Sequence, residues 1–245
     1  MTESEGSSGA PAAPGPDSAL GRIVGVFLSP ARTFRAIAAK PTWLAPLVLW
    51  MAVMFLLGVL VTTRSDMRSL IKRKTVQQGQ KLSDNQLDEI VERYQKFAWI
   101  SEGILGLVPA VIALATAGTF WALCNAFALE IRFRSAFAVT VHAFLPHVLG
   151  GLALFAILWN KTAIDPETVE DFLPTHLGSL ISKASSPPLH SLLSSIDLLS
   201  FWTMALLVLG LSAATNAPRR RIAALVLSVW AVYVLGKAGI AAIFA

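Results

Sequence analysis

Five stretches of about twenty residues with almost no charged side chain constrain this chain more than any other feature. Four of them contain no Asp, Glu, Lys or Arg, namely 43–63, 103–129, 135–160 and 198–218. The fifth, from 222 to the C-terminus, contains only Lys237. A helix of about 20 residues crosses a hydrocarbon core about 30 Å thick. Because lipid offers the backbone no hydrogen-bond partner, each stretch predicts a transmembrane helix.

The composition agrees with a membrane protein, since 55% of the residues are hydrophobic and only 14% are charged. Soluble domains usually contain about 25% charged residues. We therefore predict an all-α membrane protein, a bundle of five transmembrane helices with amphipathic surface helices. The expected division is a disordered tail at 1–19, an amphipathic interfacial segment at 20–42 and a transmembrane domain at 43–245, with spans at about 43–63, 103–129, 135–160, 194–213 and 222–243.

Two short helices are expected before the first span. The first twenty residues are rich in Ser, Gly, Pro and Ala and lack the basic and apolar regions of a signal peptide, which indicates a disordered tail. An apolar stripe then follows a helical period, with Ser29 as the expected cap and Pro30 as the first turn of a second helix. The two helices either lie in the membrane surface or pack under the bundle. The stripe consists of Leu20, Ile23, Val24 and Phe27.

The longer loops contain signals for the ends of helices. Ser83 and Gln86 have the spacing of a capping box, and the pattern after them predicts one nearly continuous helix to about Leu129, bent near Pro109. In the loop after the third span, Asp165 and Pro166 resemble a cap and a first turn, and Pro187-Pro188 is expected to end whatever precedes the fourth span.

The orientation depends on the basic residues. Lys and Arg divide almost evenly between the two sides, so their number does not decide. The short links IRFR and PRRR lie directly against the ends of spans, whereas the bases of the large loop are dispersed. We therefore expect a cytoplasmic N-terminus, with the loops 64–102 and 161–192 on the opposite side of the membrane.

Five polar residues within or beside the spans are the candidates for function, because ionisable groups in a membrane are costly. His142 and His147 are five apart with Pro146 between them, so they do not share the face that paired helical metal ligands use. A kinked packing joint is expected there, where Pro146 frees the carbonyl of His142 for Asn125 or water. The candidates are Asn125, His142, His147, Asp197 and Lys237.

Asp197 and Lys237 are the two charged candidates. In an antiparallel hairpin of the last two spans they lie at the same depth, because both are twenty residues from Ala217 in the link. Facing each other would lower the cost of each charge, and the alternative is that each side chain reaches separately to the interface.

Chemistry at a catalytic centre is not expected. The chain contains no GxSxG, HExxH, GxGxxG or Walker-type pattern, and the acids of its loops have no paired partner. The single cysteine, Cys124, lies in an apolar run and suits packing. We expect a protein that is not an enzyme, with no catalytic, cofactor or metal site, and no binding of nucleic acid, because the net charge of +5 reflects bases that flank spans.

Two segments resemble one family of membrane proteins. The first is GRIVGVFLSPARTFRAIAAKPTWLAPLVL at 21–49, with a Phe before Ser-Pro, then a Phe and an Ile, then Pro-x-Trp. The second covers the last two spans. Together they resemble bacterial members of the Yip (Ypt-interacting protein) family. The residues that carry the resemblance are Phe27, Pro30, Phe34, Pro41, Trp43, Trp202 and Gly210.

The resemblance implies a five-helix protein of the bacterial inner membrane with a cytoplasmic N-terminus. Eukaryotic relatives are tied to Rab-type GTPases. The Pro- and Ala-rich tail and the large first loop depart from their pattern, so a GTPase partner is not carried over to this chain.

Two functions remain open from the sequence, besides a third possibility that the N-terminal amphipathic helices remodel the bilayer. The first is a non-catalytic scaffold or assembly and trafficking factor that acts through contacts between helices and with the membrane surface. Its partners would be the lipid bilayer and other membrane proteins or a second copy. The second is a small transporter or permease subunit with a polar pathway through the membrane. Transport requires polar side chains from several helices around a central cavity, whereas a centre closed by Leu, Ala and Phe favours the scaffold.

Overall fold

The computed structural model describes residues 18–77, 79, 82–181 and 186–243, and ten α-helices form within these residues. Two 3₁₀ helices, Pro166–Phe172 and Leu177–Leu180, lie in the loop after the third span. The helices are α1 (Ala19–Leu28), α2 (Pro30–Ala39), α3 (Leu44–Arg64), α4 (Met67–Gln77), α5 (Asp84–Ala126), α6 (Phe133–Ala143), α7 (Leu145–Trp159), α8 (Pro187–Leu193), α9 (Leu198–Thr215) and α10 (Arg219–Ile243).

Five helical segments in the described part are long and apolar enough to cross a membrane, which confirms the predicted fold class. They are α3, α5, α6 with α7, α9 and α10, and their most apolar windows have mean hydropathies between 1.8 and 2.6. The protein is therefore a multi-pass membrane protein in contact with the lipid bilayer. The fourth span begins at Leu198 rather than at 194, and the fifth begins at Arg219 rather than at 222.

The third span is interrupted at Phe144, where α6 ends and α7 begins. Pro146 has no N–H and cannot continue the hydrogen-bond ladder. The N–H of Phe144 donates to the carbonyls of Thr140 and His142, so the carbonyl of His142 has a backbone partner. The interruption lies at the predicted joint, but Asn125, one of the two partners expected for this carbonyl, bonds elsewhere.

Helix α5 is continuous over 43 residues, as predicted, and begins at the predicted capping box. The Ser83 N–H donates to Gln86 Oε1 at 3.0 Å, and the Gln86 N–H donates to Ser83 Oγ at 3.4 Å. The helix ends at Ala126 rather than near Leu129, because Ala128 adopts a φ of 55°. The N–H of Leu129 then bonds to the Cys124 carbonyl at 2.8 Å, which closes the helix in a Schellman motif.

The bundle has two different ends. At the link end lie α1, α2 and the short connections between α5 and α6 and between α9 and α10. At the loop end lie α4, α8 and both 3₁₀ helices. Arg64 joins two spans at the loop end, since its guanidinium donates to the carbonyls of Trp159 and, at 2.7 Å, Lys161. This arginine satisfies carbonyls left without partners at the end of α7.

Helices α1 and α2 pack under the bundle, and Phe34 and Ile37 are fully buried in its core. Of the predicted stripe on α1, Ile23 and Phe27 pack against the core, while Leu20 and Val24 are exposed. The buried face of α1 instead carries Arg22 and Val26. Exposed Leu20, Val24 and Leu28 leave α1 an apolar outer face suited to the bilayer.

Two local expectations differ from the structure, whereas Pro166 opens a first turn as expected. Ser29 makes no side-chain cap bond, and Ser18 caps α1 instead by accepting from the N–H of Gly21. Pro187 opens α8 rather than ending a segment, since its fixed φ suits a first turn. Pro166 starts a 3₁₀ helix. The expected disordered tail lies outside the described residues, except that Ser18 and Ala19 belong to the start of α1.

Candidate functional site

Asp197 forms the N-cap of α9 at the loop end, and its carboxylate accepts from the N–H and the hydroxyl of Ser200, both at 2.9 Å. Burial raises the pKa of Asp197, but hydrogen bonds from Thr175 and Ser200 outweigh this effect and lower it. Asp197 therefore orders the start of a span rather than standing within it.

Two backbone hydrogen bonds fasten the loop after α7 to this cap. The Leu177 N–H donates to the Ile196 carbonyl at 3.1 Å, and the Leu198 N–H donates to the Thr175 carbonyl at 3.1 Å. They pair His176 with Asp197 in an isolated antiparallel bridge. The segment around His176 is thus held against the N-terminus of α9 at the loop end.

Two histidines of the loop after the third span, His176 and His190, are half-buried. The rings of His176 and His190 are 6.4 Å apart in an edge-on arrangement, and Ser194 Oγ lies 3.3 Å from His190 Nδ1. His176 Nδ1 is buried with no hydrogen-bond partner. In the described part of the chain, no three or more His, Cys, Asp or Glu side chains are arranged to hold a metal ion.

His147 connects the third span to α9, because its Nδ1 lies 3.0 Å from Thr203 Oγ1. His142 is buried in the same span, and its Nδ1 lies 2.8 Å from the Ala138 carbonyl of its own helix. The two histidines therefore have separate partners, and each of them joins or stabilises packed helices.

The remaining two candidates are Asn125 and Lys237. Asn125 is at the last turn of α5, where its amide donates to the carbonyls of Trp121 at 2.7 Å and Ile131 at 3.1 Å. It stabilises the turn into the next helix. Lys237 lies on α10 among Val232, Tyr233 and Ile240.

Of the two arrangements open for Asp197 and Lys237, the facing ion pair is absent among the described residues. The physical reason is that Asp197 lies at a helix N-terminus, where the N–H and the hydroxyl of Ser200 both donate to its Oδ2, while its Oδ1 is buried without a hydrogen-bond partner in the described part of the chain. The equal distance of Asp197 and Lys237 from the link predicts that they lie at the same depth. It does not predict the helix face on which each side chain lies, nor the donors that bond to the Asp197 carboxylate.

Arg22 is the polar residue that the sequence analysis missed. It is only 2% exposed, and one guanidinium nitrogen donates to the Lys40 carbonyl and to Thr42 Oγ1, both at 2.7 Å. These bonds hold α1 against the link between α2 and α3. The sequence did contain one signal for this role. Arg22 is the only charged residue of the segment 19–28, and a charged residue of a surface helix normally lies on a polar face, which this segment lacks.

The motif residues of the N-terminal segment contact those of α9. The rings of Phe27 and Trp202 are 5.5 Å apart, and a Cβ added at Gly210 would lie 2.7 Å from Phe34 Cδ1 and closer still to Val139. Pro30 starts α2, Pro41 lies in the link after it, and the Trp43 ring packs 5.4 Å from that of Phe137. We name Phe27, Phe34, Trp202 and Gly210 the N-terminal joint.

Replacing Asp197 with alanine is expected to destabilise the protein by about 1 kcal/mol, because the N-cap bond to Ser200 is lost. Since the folded state lowers the pKa of Asp197, its contribution is present above the unfolded value of about 4 and is lost as the pH falls through the folded value. Thermal unfolding in detergent between pH 3 and pH 7 measures both effects.

The matched control for this prediction is Asp197→Asn, because asparagine caps helices about as well as aspartate but does not titrate. It should keep most of the stability at pH 7 and lose the part of the acid dependence that Asp197 causes. Equal stability of the alanine variant and the unsubstituted protein would contradict the capping role.

Comparison with known proteins agrees with this architecture. No curated protein and no solved structure matches the chain significantly. The Yip1 domain matches residues 24–240, which include α2, the first four membrane spans, α10 up to residue 240 and the whole N-terminal joint. The match covers far more than half of the 245 residues. The chain therefore belongs to the Yip family of multi-pass membrane proteins that is defined by the Yip1 domain.

Proposed function

We propose that this protein is a non-catalytic scaffold or assembly and trafficking factor that holds partner membrane proteins through its exposed helices. The observation that carries the proposal is the apolar interior of the bundle. Its core consists mainly of Ala, Val, Leu and Phe side chains, among them Ala117, Phe120, Val139 and Leu211. A closed interior of this kind supports packing rather than passage of a polar substrate.

The distribution of polar residues also favours the scaffold over the transporter. Asp197 and His147 lie toward the loop end, whereas Asn125 lies at the link end. His142 bonds to its own helix, and Lys237 lies on a surface crevice with apolar neighbours. A transport pathway would need such groups to converge from several helices on one cavity.

A partner surface is offered by the helical arm, which we define as α4 and residues 84–102 of α5. Helix α5 is about 65 Å long, about twice the thickness of the hydrocarbon core, so its charged first part extends beyond the membrane. Leu70 and Leu87 are buried between the two helices of the arm, and Arg68 pairs with Asp84 and Asp88 at 3.4 and 3.2 Å.

The outer face of the arm is apolar where it meets the membrane. Phe97 and Ile100 are one turn apart and exposed on this face, whereas Trp99, which is 69% exposed, lies on the other side of the helix. Exposed apolar and aromatic side chains next to charged ones are typical of protein contact surfaces. We propose that this face binds the extramembrane part of a partner.

We further propose that the protein lies in a bacterial inner membrane with its N-terminus in the cytoplasm. The basic links at Arg132 and Arg134 and at 219–221 support this orientation. The helical arm would then lie on the opposite side of the membrane.

One experiment tests both whether the helical arm binds a partner and on which side of the membrane the arm lies. A cysteine at the exposed position Gln95 is labelled in intact cells with a membrane-impermeant maleimide that carries a photoreactive group. We expect labelling without breaking the membrane, followed on illumination by a defined cross-linked product with another membrane protein. The control is Leu180→Cys, which is exposed at the same end of the bundle but away from the arm.

The outcomes separate the two proposals. If Gln95→Cys is labelled only after the membrane is broken, the proposed orientation is wrong. The cross-linking test for a partner is then carried out on the broken membranes. Cross-linked products that are the same from Gln95→Cys and Leu180→Cys, or none from Gln95→Cys on either side, would contradict a partner held by the arm.

A further inference from the structure

An open groove runs along the outside of the bundle between the last turns of α5 and the first turns of α10. Its volume is about 630 Å³. Phe127 and Val232 on its walls are 57% and 72% exposed, so the groove faces the surroundings of the bundle. We name it the α5–α10 groove. Its walls include Thr119, Leu123 and Phe127 from α5 and Ala224, Ser228 and Val232 from α10, each separated by one helical turn.

One end of the α5–α10 groove is strongly basic. Arg221 lines this end and donates to the Phe127 carbonyl at 2.8 Å, and Arg219 and Arg220 are exposed in the same turn of α10, just outside the groove. Among the described residues, no acidic side chain lies within 4.0 Å of these three guanidinium groups. Three cations in the first turn of a helix oppose its dipole, so an anion bound there would relieve the repulsion.

The length of the groove matches one leaflet of a bilayer. Arg221 and Val232 are eleven residues apart on α10, which corresponds to about 16 Å along the helix. Half of a hydrocarbon core about 30 Å thick is about 15 Å. A chain that enters beside Arg221 would therefore reach the middle of the membrane at Val232.

We propose that the α5–α10 groove binds one anionic phospholipid, with its phosphate at Arg219–Arg221 and an acyl chain along the apolar walls. The basic end recognises the headgroup, because arginine pairs with phosphate oxygens in a bidentate manner. The apolar length recognises the chain. This inference is independent of the scaffold function, since it concerns a different face of the bundle from the helical arm.

A second copy of the chain fits the groove less well. Ala224 and Ser228 are small residues four apart, a spacing that can bring two membrane helices together. In a symmetric pair, however, the same surface of each copy faces the other, so the two clusters at Arg219–Arg221 would lie at the same height. Their mutual repulsion favours an anionic lipid as the occupant.

The test is native mass spectrometry of the purified full-length protein, titrated with phosphatidylglycerol or with phosphatidylcholine that has the same acyl chains. We expect one phosphatidylglycerol to bind at least about tenfold more tightly than phosphatidylcholine, a factor equal to about 1.4 kcal/mol. Equal affinity for the two lipids would overturn the proposal. A dimer without bound lipid would also overturn it and identify the second copy as the occupant.

Variants locate the site. Arg219→Gln with Arg220→Gln leaves the bond from Arg221 to Phe127 intact and should reduce the preference for phosphatidylglycerol at least about fivefold. Ser228→Phe narrows the apolar walls and should weaken binding of both lipids. The matched control is Arg134→Gln, which removes a base at the same end of the bundle but outside the groove.

Thermal unfolding checks that each variant is folded before its lipid affinity is compared. Unchanged lipid preference in the folded double variant, or an equal loss in Arg134→Gln, would show that diffuse surface charge is responsible and would overturn the assignment to the groove. If Ser228→Phe does not fold, Ala224→Leu provides a smaller obstruction of the same wall.

Discussion

Replacing Arg22 with methionine is expected to lower the free energy of unfolding by about 2–5 kcal/mol. Methionine fills much of the same space but donates no hydrogen bond. The Lys40 carbonyl and Thr42 Oγ1 would each lose the donor that now lies at 2.7 Å. Helices α1 and α2 would then separate from the start of α3.

Unfolding in mixed detergent micelles, followed by tryptophan fluorescence, measures this effect. Arg35→Met is the control, because Arg35 is exposed on α2 and surface changes usually stay within about 0.5 kcal/mol. Arg22→Lys should fall between the two, since an ammonium lacks the planar fork of a guanidinium. A loss in Arg22→Met no greater than in Arg35→Met would contradict the structural role of this arginine.

Replacing Gly210 with leucine is expected to destabilise the protein by about 3 kcal/mol, because a larger side chain must displace a packed core. A Cβ alone would lie 2.7 Å from Phe34 Cδ1, and Val139 lies closer still. Phe34 is fully buried, so it cannot swing into solvent. The N-terminal joint would open, and α2 would lose its position against α9.

The control for this substitution is Gly236→Leu on α10, where an added Cβ would meet no atom within 4 Å. That variant should be unchanged or slightly more stable, because leucine favours helix by up to about 1 kcal/mol over glycine. Limited proteolysis between α2 and α3 should become faster only in Gly210→Leu. Equal unfolding temperatures for the two leucine variants would refute the close packing at Gly210.

Much of the architecture follows from short segments of sequence. The five spans follow from runs of residues without charge. Each charged residue in hydrocarbon adds its own free-energy cost, so the spans can be located without knowing the fold. The same holds for the start of α5, since Ser83 and Gln86 are three residues apart and meet within one turn. The break in the third span follows from Pro146 alone.

The polar candidates were found by their position in the spans, but their partners were not. Asn125 bonds to Ile131 in the next link rather than to the carbonyl of His142, and His147 meets Thr203 from a distant part of the chain. Nothing in the sequence identifies Thr203 as the partner of His147. Only packing of the third span against α9 brings the two side chains within 3.0 Å.

The sequence by itself determined that this is a five-span helical membrane protein, because hydrophobicity and caps are local properties that add along the chain. Only the tertiary structure decided that Arg22 is buried, that Asp197 caps α9 instead of pairing with Lys237, and that the N-terminal helices pack beneath α9. The physical reason is that the environment of a polar group depends on donors and acceptors that distant segments supply when the helices pack.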